Sequence, residues 1–236
     1  MTTQFDPARI RSYFYVPAGD ENLVAAAFDN EADAVVFCLE DLTPEDRKDA
    51  GRKLVADIIA TAPPKPVLVR INAVGTGHLD ADLEAVVGPG LSAIRVAKSI
   101  RADEVRFVAG ELDRRRAAAG ITPVIGLQVM VETAAGVLAI AELAQADHLV
   151  QSVGLGEGDL KKDLRTATDE GLFASRAQVV LAARAAGLPG PVQVTFPKGG
   201  DEAALRASTE LGLSLGFSSR TLLNPAHVPV VNEIYG

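Results

Sequence analysis

Apolar and polar positions divide this chain into short apolar runs, each followed by an amphipathic segment. The clearest example, residues 122–133, is an apolar run that ends on the carboxylate of Glu132 and passes directly into Ala134-Ala135-Gly136. A run without polar alternation is typical of a strand covered on both faces, as in a parallel α/β sheet. The pattern therefore places Glu132 at the carboxyl end of a buried strand.

The strand-then-helix unit recurs eight times along the chain. The predicted strands are residues 11–16, 33–39, 66–72, 92–98, 122–133, 148–155, 191–196 and 218–223. The predicted helices are residues 20–30, 43–60, 80–87, 102–119, 134–145, 172–186, 202–215 and 225–233. Asp20 is the expected cap of the first helix, and Thr43 that of the second. The polar stretch between the sixth strand and the helix at 172–186 is expected to be a loop that serves as a lid or contacts substrate.

Eight such units, at spacings of about 25–35 residues, are typical of a (β/α)₈ barrel rather than an open sheet. The first strand is not followed by Gly-x-Gly-x-x-Gly, which counts against a dinucleotide-binding sheet. The sequence therefore predicts an α/β fold in which residues 1–236 form a single TIM-barrel catalytic domain.

Composition narrows the function classes. A hydrophobic content of 48% over 236 residues can supply the large aliphatic core of a barrel. The net charge of −8 argues against a nucleic-acid partner, and the triplet 114–116 of arginines is interpreted as a solvated helix face. The single cysteine, Cys38, excludes an internal disulfide and is interpreted as a buried small residue. Residues 1–9 contain no signal peptide, and no run approaches the roughly 20 apolar residues of a membrane span, so we expect a cytoplasmic protein without a membrane partner.

Polar side chains follow most of the predicted strands, and in a barrel the carboxyl strand ends converge on one mouth. These residues are Glu40, Asp41, Arg70, Asn72, Lys98, Glu132, Glu157, Asp159, Thr195, Lys198 and Asn224. Any one of them alone could be a helix cap or an ion-pair partner. Two carboxylates on neighbouring strand ends, Glu132 and Asp159, are more specific because a hard divalent cation takes oxygen ligands and keeps open positions for substrate. We predict that these two hold a metal.

Arg70 lies among apolar residues of the third strand, where a guanidinium without a carboxylate partner is costly. Its structural interpretation is a buried pair with Glu40 or Asp41. Its functional interpretation is a bidentate clamp on a substrate carboxylate, and the two are compatible. The three histidines do not stand beside a serine or cysteine at a strand end, so no hydrolase triad can be assembled.

Several short motifs together resemble one known family. They are Arg11-Ser…Val16-Pro-Ala18, Leu39-Glu-Asp41, Val69-Arg-Ile-Asn72, Asp82-Leu83, Val131-Glu-Thr133…Gly136, the segment 154–160 and Leu223-Asn-Pro225…Val231-Asn232. In this order they resemble the HpcH/HpaI aldolase and citrate lyase beta-subunit family over nearly the whole chain. The chain is most similar to the citrate lyase beta-subunit-like branch, because Leu-Glu-Asp follows the second strand where the pyruvate-aldolase branch is expected to carry a histidine.

The resemblance implies a barrel that assembles as a homo-trimer or homo-hexamer and binds Mg²⁺ through Glu132 and Asp159. Members cleave or form carbon–carbon bonds in small 3-hydroxy acids or their coenzyme A thioesters, and Arg70 matches the arginine that grips the 2-oxo acid. We therefore expect a catalytic group of Arg70, Glu40 and Asp41. The expected substrate-binding residues are Arg70, Asn72, Lys98, Glu157 and Asn224.

Departures from the family pattern concern the substrate more than the metal pair. Val96-Ala97-Lys98 stands where Leu-Pro-Lys is common, Asn224 where histidine is common, and Glu157 where a small residue is expected. Thr195 and Lys198 lie in a segment that often carries an acidic residue.

We predict a Mg²⁺-dependent carbon–carbon lyase that splits a small 3-hydroxy acid, or its coenzyme A thioester, into a 2-oxo acid and an acyl product. One alternative is a malyl- or citramalyl-CoA thioesterase that uses the same metal to activate water. Another is a non-catalytic barrel subunit that binds an oxo acid or an acyl-CoA. Both enzyme hypotheses require Glu132 and Asp159 to meet. The binding-subunit hypothesis gains if Arg70 is sealed against Glu40 without an open cavity. The acyl carrier and the general base are not identified by the sequence.

Overall fold

The computed structural model of the chain describes residues 5–197 and 199–236. Eight parallel strands form a closed barrel in the order β1 to β8, with each strand hydrogen-bonded to the next and β8 to β1. The strands are β1 (Ser12–Pro17), β2 (Ala34–Cys38), β3 (Val67–Ile71), β4 (Ala93–Val96), β5 (Gly126–Val131), β6 (Val150–Leu155), β7 (Val192–Phe196) and β8 (Ser219–Leu222). The predicted TIM-barrel fold is thereby confirmed.

Helices connect the strands on the outside of the barrel. They are α1 (Glu21–Ala25), α2 (Lys48–Ile59), α3 (Leu79–Val86), α4 (Ala102–Ala118), α5 (Ala134–Leu143), α6 (Glu157–Leu164), α7 (Phe173–Ala185), α8 (Glu202–Leu215) and α9 (Val228–Ile234). Short 3₁₀ turns lie at Pro7–Arg9, Glu45–Arg47, Glu170–Leu172 and Pro225–His227.

Two apolar layers hold this architecture together. Successive side chains of a strand point to opposite faces, so Val69 and Ile94 face outwards into a layer between strands and helices. Leu68 and Ala93 face the barrel interior, where they form a smaller cluster. A closed barrel also removes the exposed strand edges of an open sheet. The β6–β7 seam is the weakest, because Gly154 and Val192 are its one register pair among the described residues.

Three local predictions need correction. The polar stretch after β6 is not a loop: its first half is α6, which packs Leu160 into the core, so the polar composition of one helix face was mistaken for a loop. The first helix is also shorter than predicted, although Asp20 does cap it by accepting from the Asn22 and Leu23 N–H groups. Thr43 is not a cap, because its hydroxyl donates to the carbonyl of Cys38 at 2.6 Å.

Some expectations lie outside these observations. The described helices include none long and apolar enough to cross a membrane. Residues 1–4 and Lys198 lie outside the described residues. The structure therefore does not place Lys198, which was named among the polar residues that follow the strands, or the first four residues of the segment expected to contain no signal peptide. The division of residues 1–236 into one domain stays a prediction.

Candidate active site

A cavity of about 340 Å³ opens at the carboxyl ends of the barrel strands. All eight strands are parallel, so the residues that follow them meet at this end, as in other barrels of this type. We call it the mouth cavity. Its wall includes Tyr15, Asp41, Arg70, Arg95, Met130, Glu132, Asp159, Gln193, Thr195 and Thr221.

Glu132 and Asp159 meet on one side of the mouth cavity. Glu132 follows the last residue of β5, and Asp159 lies in the first turn of α6 rather than on β6 itself. Both residues line the same cavity, and their carboxyl groups lie close enough for each to shift the pKa of the other. Gly156 makes room for the Glu132 side chain, because a Cβ at that position would lie 2.6 Å from Glu132 Cγ. The predicted pair is therefore brought together in space.

The two carboxyl groups have opposite electrostatic environments. Glu132 is only 4% exposed, and no lysine or arginine nitrogen of the described residues lies within 4 Å of its carboxylate. Burial first, and then the charges of Glu40 and Asp159 against the opposing charge of Arg70, raise the pKa of Glu132 to about 7. Asp159 instead pairs with Lys162 at 2.7 Å, and that hydrogen bond is the main cause of its lowered pKa.

This donor set fits a magnesium ion. Mg²⁺ is commonly held by one or two carboxylates, with waters and substrate oxygens in the other positions. Within the described ranges, no cluster of three or more His, Cys, Asp or Glu side chains could form a closed protein cage. The exposed Lys162 is a weak competitor for Asp159, since solvated ion pairs contribute little. A cation here would also compensate the buried charge of Glu132.

Arg70 lies across the floor of the same cavity. Its Nη1 is 2.7 Å from Glu40 Oε2, and its Nε and Nη2 donate to Cys38 Sγ at 3.3 and 3.1 Å. The guanidinium also stacks over Tyr15, with 5.1 Å from its carbon to the ring centroid. A guanidinium has five N–H donors, so Nη1 and Nη2 each keep at least one N–H that is not donated to Cys38. The buried pair of Arg70 with Glu40 is therefore observed, and the clamp on a substrate carboxylate stays a prediction. The open cavity beside Arg70 counts against the sealed arrangement of a binding subunit.

Glu40, Asp41 and Lys98 form a charged network behind Arg70. Lys98 Nζ lies 2.5 Å from Glu40 Oε1 and 3.0 Å from Asp41 Oδ1. Burial raises the pKa of Glu40 although Arg70 and Lys98 oppose the shift. Asp41 lines the mouth cavity, whereas Glu40 and Lys98 line an adjacent depression outside it. Glu40 thus orients the guanidinium from outside the mouth cavity, while Asp41 lies at the cavity wall.

The remaining predicted substrate-binding residues have other partners. Asn72 is buried and ties Lys48, the Leu39 carbonyl and Asp82 together through its side-chain amide, which makes it a structural link. Glu157 points away from Asp159 and forms a two-point ion pair with Arg176, at 2.7 and 2.6 Å.

Asn224 follows β8 and caps the next turn by accepting from the Ala226 N–H at 3.1 Å. None of Asn72, Glu157 and Asn224 is among the residues that line the mouth cavity in the described part of the chain.

Sequence reasoning missed a buried polar row beneath the cavity. Cys38, Arg70, Arg95, Gln128 and Ser152 are in register across β2 to β6, so their side chains share the inner face of the barrel. Arg95 Nε donates to Gln128 at 2.5 Å, and Gln128 donates to Ser152 at 2.8 Å. Arg95 lies within the apolar run of β4, where a charge would ordinarily argue against a buried strand. The period-two placement of Arg95 on the same face as Ala93 was the signal that it points inwards.

Comparison with known proteins shows the family of the chain. Residues 11–225 match the family described as HpcH/HpaI aldolase/citrate lyase. A (3S)-malyl-CoA thioesterase of Cereibacter sphaeroides is 34% identical over 230 residues, which cover 95% of this chain and 76% of that protein. The citrate lyase subunit beta of Escherichia coli K12 is 29% identical over 231 residues, with the same coverage.

Among solved structures, CitE of Mycobacterium tuberculosis in complex with magnesium, acetoacetate and coenzyme A superposes with a TM-score of 0.79 at 27% identity. The match covers 95% of this chain and 80% of that one.

Proposed function

Because the chain belongs to the HpcH/HpaI aldolase/citrate lyase family, we propose that it is a Mg²⁺-dependent carbon–carbon lyase. Its substrate is a small 3-hydroxy acid or the coenzyme A thioester of one, and its products are a 2-oxo acid and an acyl product. The observation that carries this proposal is that Glu132, Asp159 and Arg70 line one cavity at the carboxyl ends of the strands.

Glu132 and Asp159 would hold the magnesium ion. When bound, it supplies Lewis-acid stabilisation of negative charge on the hydroxyl or oxo oxygen of the substrate. A solved relative contains magnesium together with acetoacetate and coenzyme A, which supports both the metal and the thioester part of the proposal. The pKa of Glu132 near 7 means that loss of one proton prepares the pair for a cation.

The arginines of the cavity set the charge of the substrate. Arg70 presents its remaining N–H edge to a carboxylate, and Arg95 adds a second buried cation on the same wall. Glu40 is a positioning residue, because it holds Arg70 and Lys98 from outside the cavity. Two cations beside one cavity suit an anionic oxo or hydroxy acid held in a fixed orientation.

A second function is supported by the thioesterase relatives. Several proteins named (3S)-malyl-CoA thioesterase are 33–34% identical to this chain. In a thioesterase the same carboxylate clamp would hold the acid while water attacks the thioester carbonyl. The bond broken is then C–S rather than C–C, and the products are a free hydroxy acid and coenzyme A thiol.

Product analysis separates the two activities. The purified protein is incubated with citryl-, malyl- or citramalyl-CoA and Mg²⁺, and both the 2-oxo acid and the free thiol are quantified. A lyase releases 2-oxo acid together with an acetyl thioester and no thiol, whereas a thioesterase releases one thiol per substrate and no oxo acid. Neither product from any of the three thioesters, with Mg²⁺ present, would contradict this proposal.

We also propose that the protein is cytoplasmic and assembles as a homo-trimer or homo-hexamer. Leu138 on α5 and Leu181 on α7 support assembly, because they are 77% and 70% exposed on neighbouring helices. Large exposed leucines on adjacent helices are common at subunit interfaces. Light scattering coupled to gel filtration measures the mass directly, and a monomer of 24.7 kDa at micromolar concentration would contradict the assembly.

A further inference from the structure

A second cavity of about 280 Å³ lies beside the mouth cavity. We call it the lateral cavity. The residues 193–197 at the end of β7 line both cavities, so this strand forms the wall between them. Neither Glu132 nor Arg70 lines the lateral cavity, and it therefore has a chemistry of its own.

Arg220 is a buried cation in the wall of the lateral cavity, and no ion-pair partner for it lies among the described residues. The side chain points outwards from β8 and is only 2% exposed. Its Nη1 donates to the hydroxyls of Ser208 and Thr209, both at 2.7 Å, and its carbon lies 5.0 Å from the centroid of Phe196. No carboxylate of the described residues lies within 4 Å, and Nε is buried without a hydrogen-bond partner. A buried guanidinium that has only neutral partners is costly, and an anion would offset that cost.

The electrostatic environment agrees with this geometry. Burial is the main cause that lowers the pKa of Arg220 to about 10, and the charge of Arg176 acts in the same direction, whereas Tyr235, Glu157 and Asp169 oppose the shift. Arg176 is itself occupied by Glu157 and Asp169, but its Nη1 is buried without a partner. Lys161 pairs with Asp169 at 2.6 Å.

Among the described residues, the charged side chains that line the lateral cavity have a net charge of +1. Arg176, Arg220 and Lys161 are cationic, and Glu157 and Asp169 are anionic. Most of the remaining wall is apolar, from Leu211, Leu215, Phe217 and Phe196. One excess positive charge next to an apolar pocket favours a monoanion with a hydrocarbon body over a multiply charged, fully hydrated ion.

We propose that the lateral cavity is a binding site for a short-chain monocarboxylate, with the carboxylate on Arg220 and the hydrocarbon chain against Leu211 and Leu215. The site is separate from the proposed magnesium centre and does not depend on it. The chain would therefore bind a second ligand on the side of β7 opposite the mouth cavity.

Butyrate is the probe for this site, titrated by isothermal calorimetry and ligand-observed NMR in the presence of excess chelator. The titration uses an Arg70→Gln background, so that the carboxylate clamp of the mouth cavity does not contribute. Arg70→Gln/Arg220→Gln should bind butyrate at least about tenfold more weakly than Arg70→Gln alone, as expected for loss of a charge-assisted hydrogen bond. The matched control is Arg70→Gln/Arg206→Gln. Arg206 lies on the surface of α8 and pairs with Glu233, so its replacement should leave butyrate binding unchanged.

A measurement on the unmutated protein guards against variants that fail to fold. With leucine methyl groups labelled, butyrate should shift the signals of Leu211 and Leu215 in the presence of chelator. No shift of these methyl groups, or equal butyrate affinity with and without Arg220, would overturn the proposal. Tighter binding of inorganic phosphate than of butyrate would overturn the assignment to a monocarboxylate.

Discussion

Arg70 Nη1 lies 2.7 Å from Glu40 Oε2, in a pair that is almost completely removed from solvent. The pair is not symmetric in function. Glu40 faces the charged network with Lys98, whereas Arg70 faces the mouth cavity. A buried pair of this kind fixes the direction of the guanidinium, and the direction decides which substrate group it can meet.

Replacing Arg70 by lysine should therefore reduce activity with the fold preserved. Lysine keeps the charge but loses the planar fork that contacts Glu40 and Cys38. We expect kcat/KM for the active thioester to fall by about 10²-fold, in line with the loss of a bidentate contact. Steady-state kinetics measure this, with Arg206→Lys on the protein surface as the control. Unchanged kcat/KM in Arg70→Lys would remove the clamp from the mechanism.

Gly156 offers a steric test of the carboxylate pair. A Cβ there would lie 2.6 Å from Glu132 Cγ, although the backbone φ of −87° is open to any residue. Gly156→Ala should displace the Glu132 carboxyl and weaken Mg²⁺ binding by about tenfold or more, because ligand positions within about 0.5 Å matter. The matched control is Gly158→Ala, where no atom lies within 4 Å of the added Cβ. Equal magnesium affinity in both variants would show that Glu132 is not a ligand.

Magnesium affinity should depend on pH through Glu132. Burial, together with nearby carboxylates, raises the pKa of this group to about 7 in the metal-free protein, and only the ionised form is a ligand. The apparent Kd for Mg²⁺ should fall by about tenfold per pH unit as the pH rises towards 7, and it should level off above that pH. Calorimetric titrations at pH 5.5, 6.5, 7.5 and 8.5 test this, and a flat profile between pH 5.5 and 7 would contradict it.

Asp33 provides a prediction about stability in acid. Its carboxylate accepts from the side chain of Arg11 at 2.8 and 2.9 Å and from the backbone N–H of Arg11 at 2.8 Å. Burial opposes its charge, but these hydrogen bonds outweigh it and lower the pKa of Asp33. A lowered folded-state pKa contributes stability above the unfolded value of about 3.9, and this contribution is lost as the pH falls through the folded value.

Asp33→Asn should accordingly lower the free energy of unfolding at pH 7 by about 1–2 kcal/mol. The difference from the unmutated protein should shrink as the pH falls below about 4. Urea titrations at pH 7 and pH 3 measure both values. Asp57→Asn is the control, because Asp57 pairs with Lys53 in an exposed helical pair and should change stability little.

The barrel fold and the pair Glu132 and Asp159 could be predicted from the sequence for physical reasons. Strands that are covered on both faces of a parallel sheet have continuous apolar sequences, and Glu132 follows such a strand directly. The position of Arg95 inside the barrel could not be predicted in this way. A charge within an apolar strand usually argues against the strand, and its partners Gln128 and Thr221 lie 33 and 126 positions away.

The stretch after β6 shows where local pattern fails. Because α6 was expected to be a loop, the directions of its side chains could not be predicted. In this helix Asp159 lies on the side of Glu132, whereas Glu157 pairs with Arg176. Glu157 and Asp159 are only two positions apart on the chain, but they line different cavities. The first turn of α6 also places Glu157 in the wall of the lateral cavity. Arg220 lines the same cavity, and only the folded structure shows that no carboxylate of the described residues pairs with it.

The most direct test of the magnesium centre is a calorimetric Mg²⁺ titration at pH 8. It compares the unmutated protein with Glu132→Gln, Asp159→Asn and Glu142→Gln, the last of which changes an exposed residue and serves as the control. The release of 2-oxo acid and of thiol is measured on the same samples. We predict that the unmutated protein and Glu142→Gln bind Mg²⁺ and turn over a thioester. Glu132→Gln and Asp159→Asn should lose at least about tenfold in Mg²⁺ affinity and nearly all turnover. Unchanged affinity and turnover in Glu132→Gln, or turnover by the unmutated protein in excess chelator, would contradict a magnesium ion held between these two carboxylates.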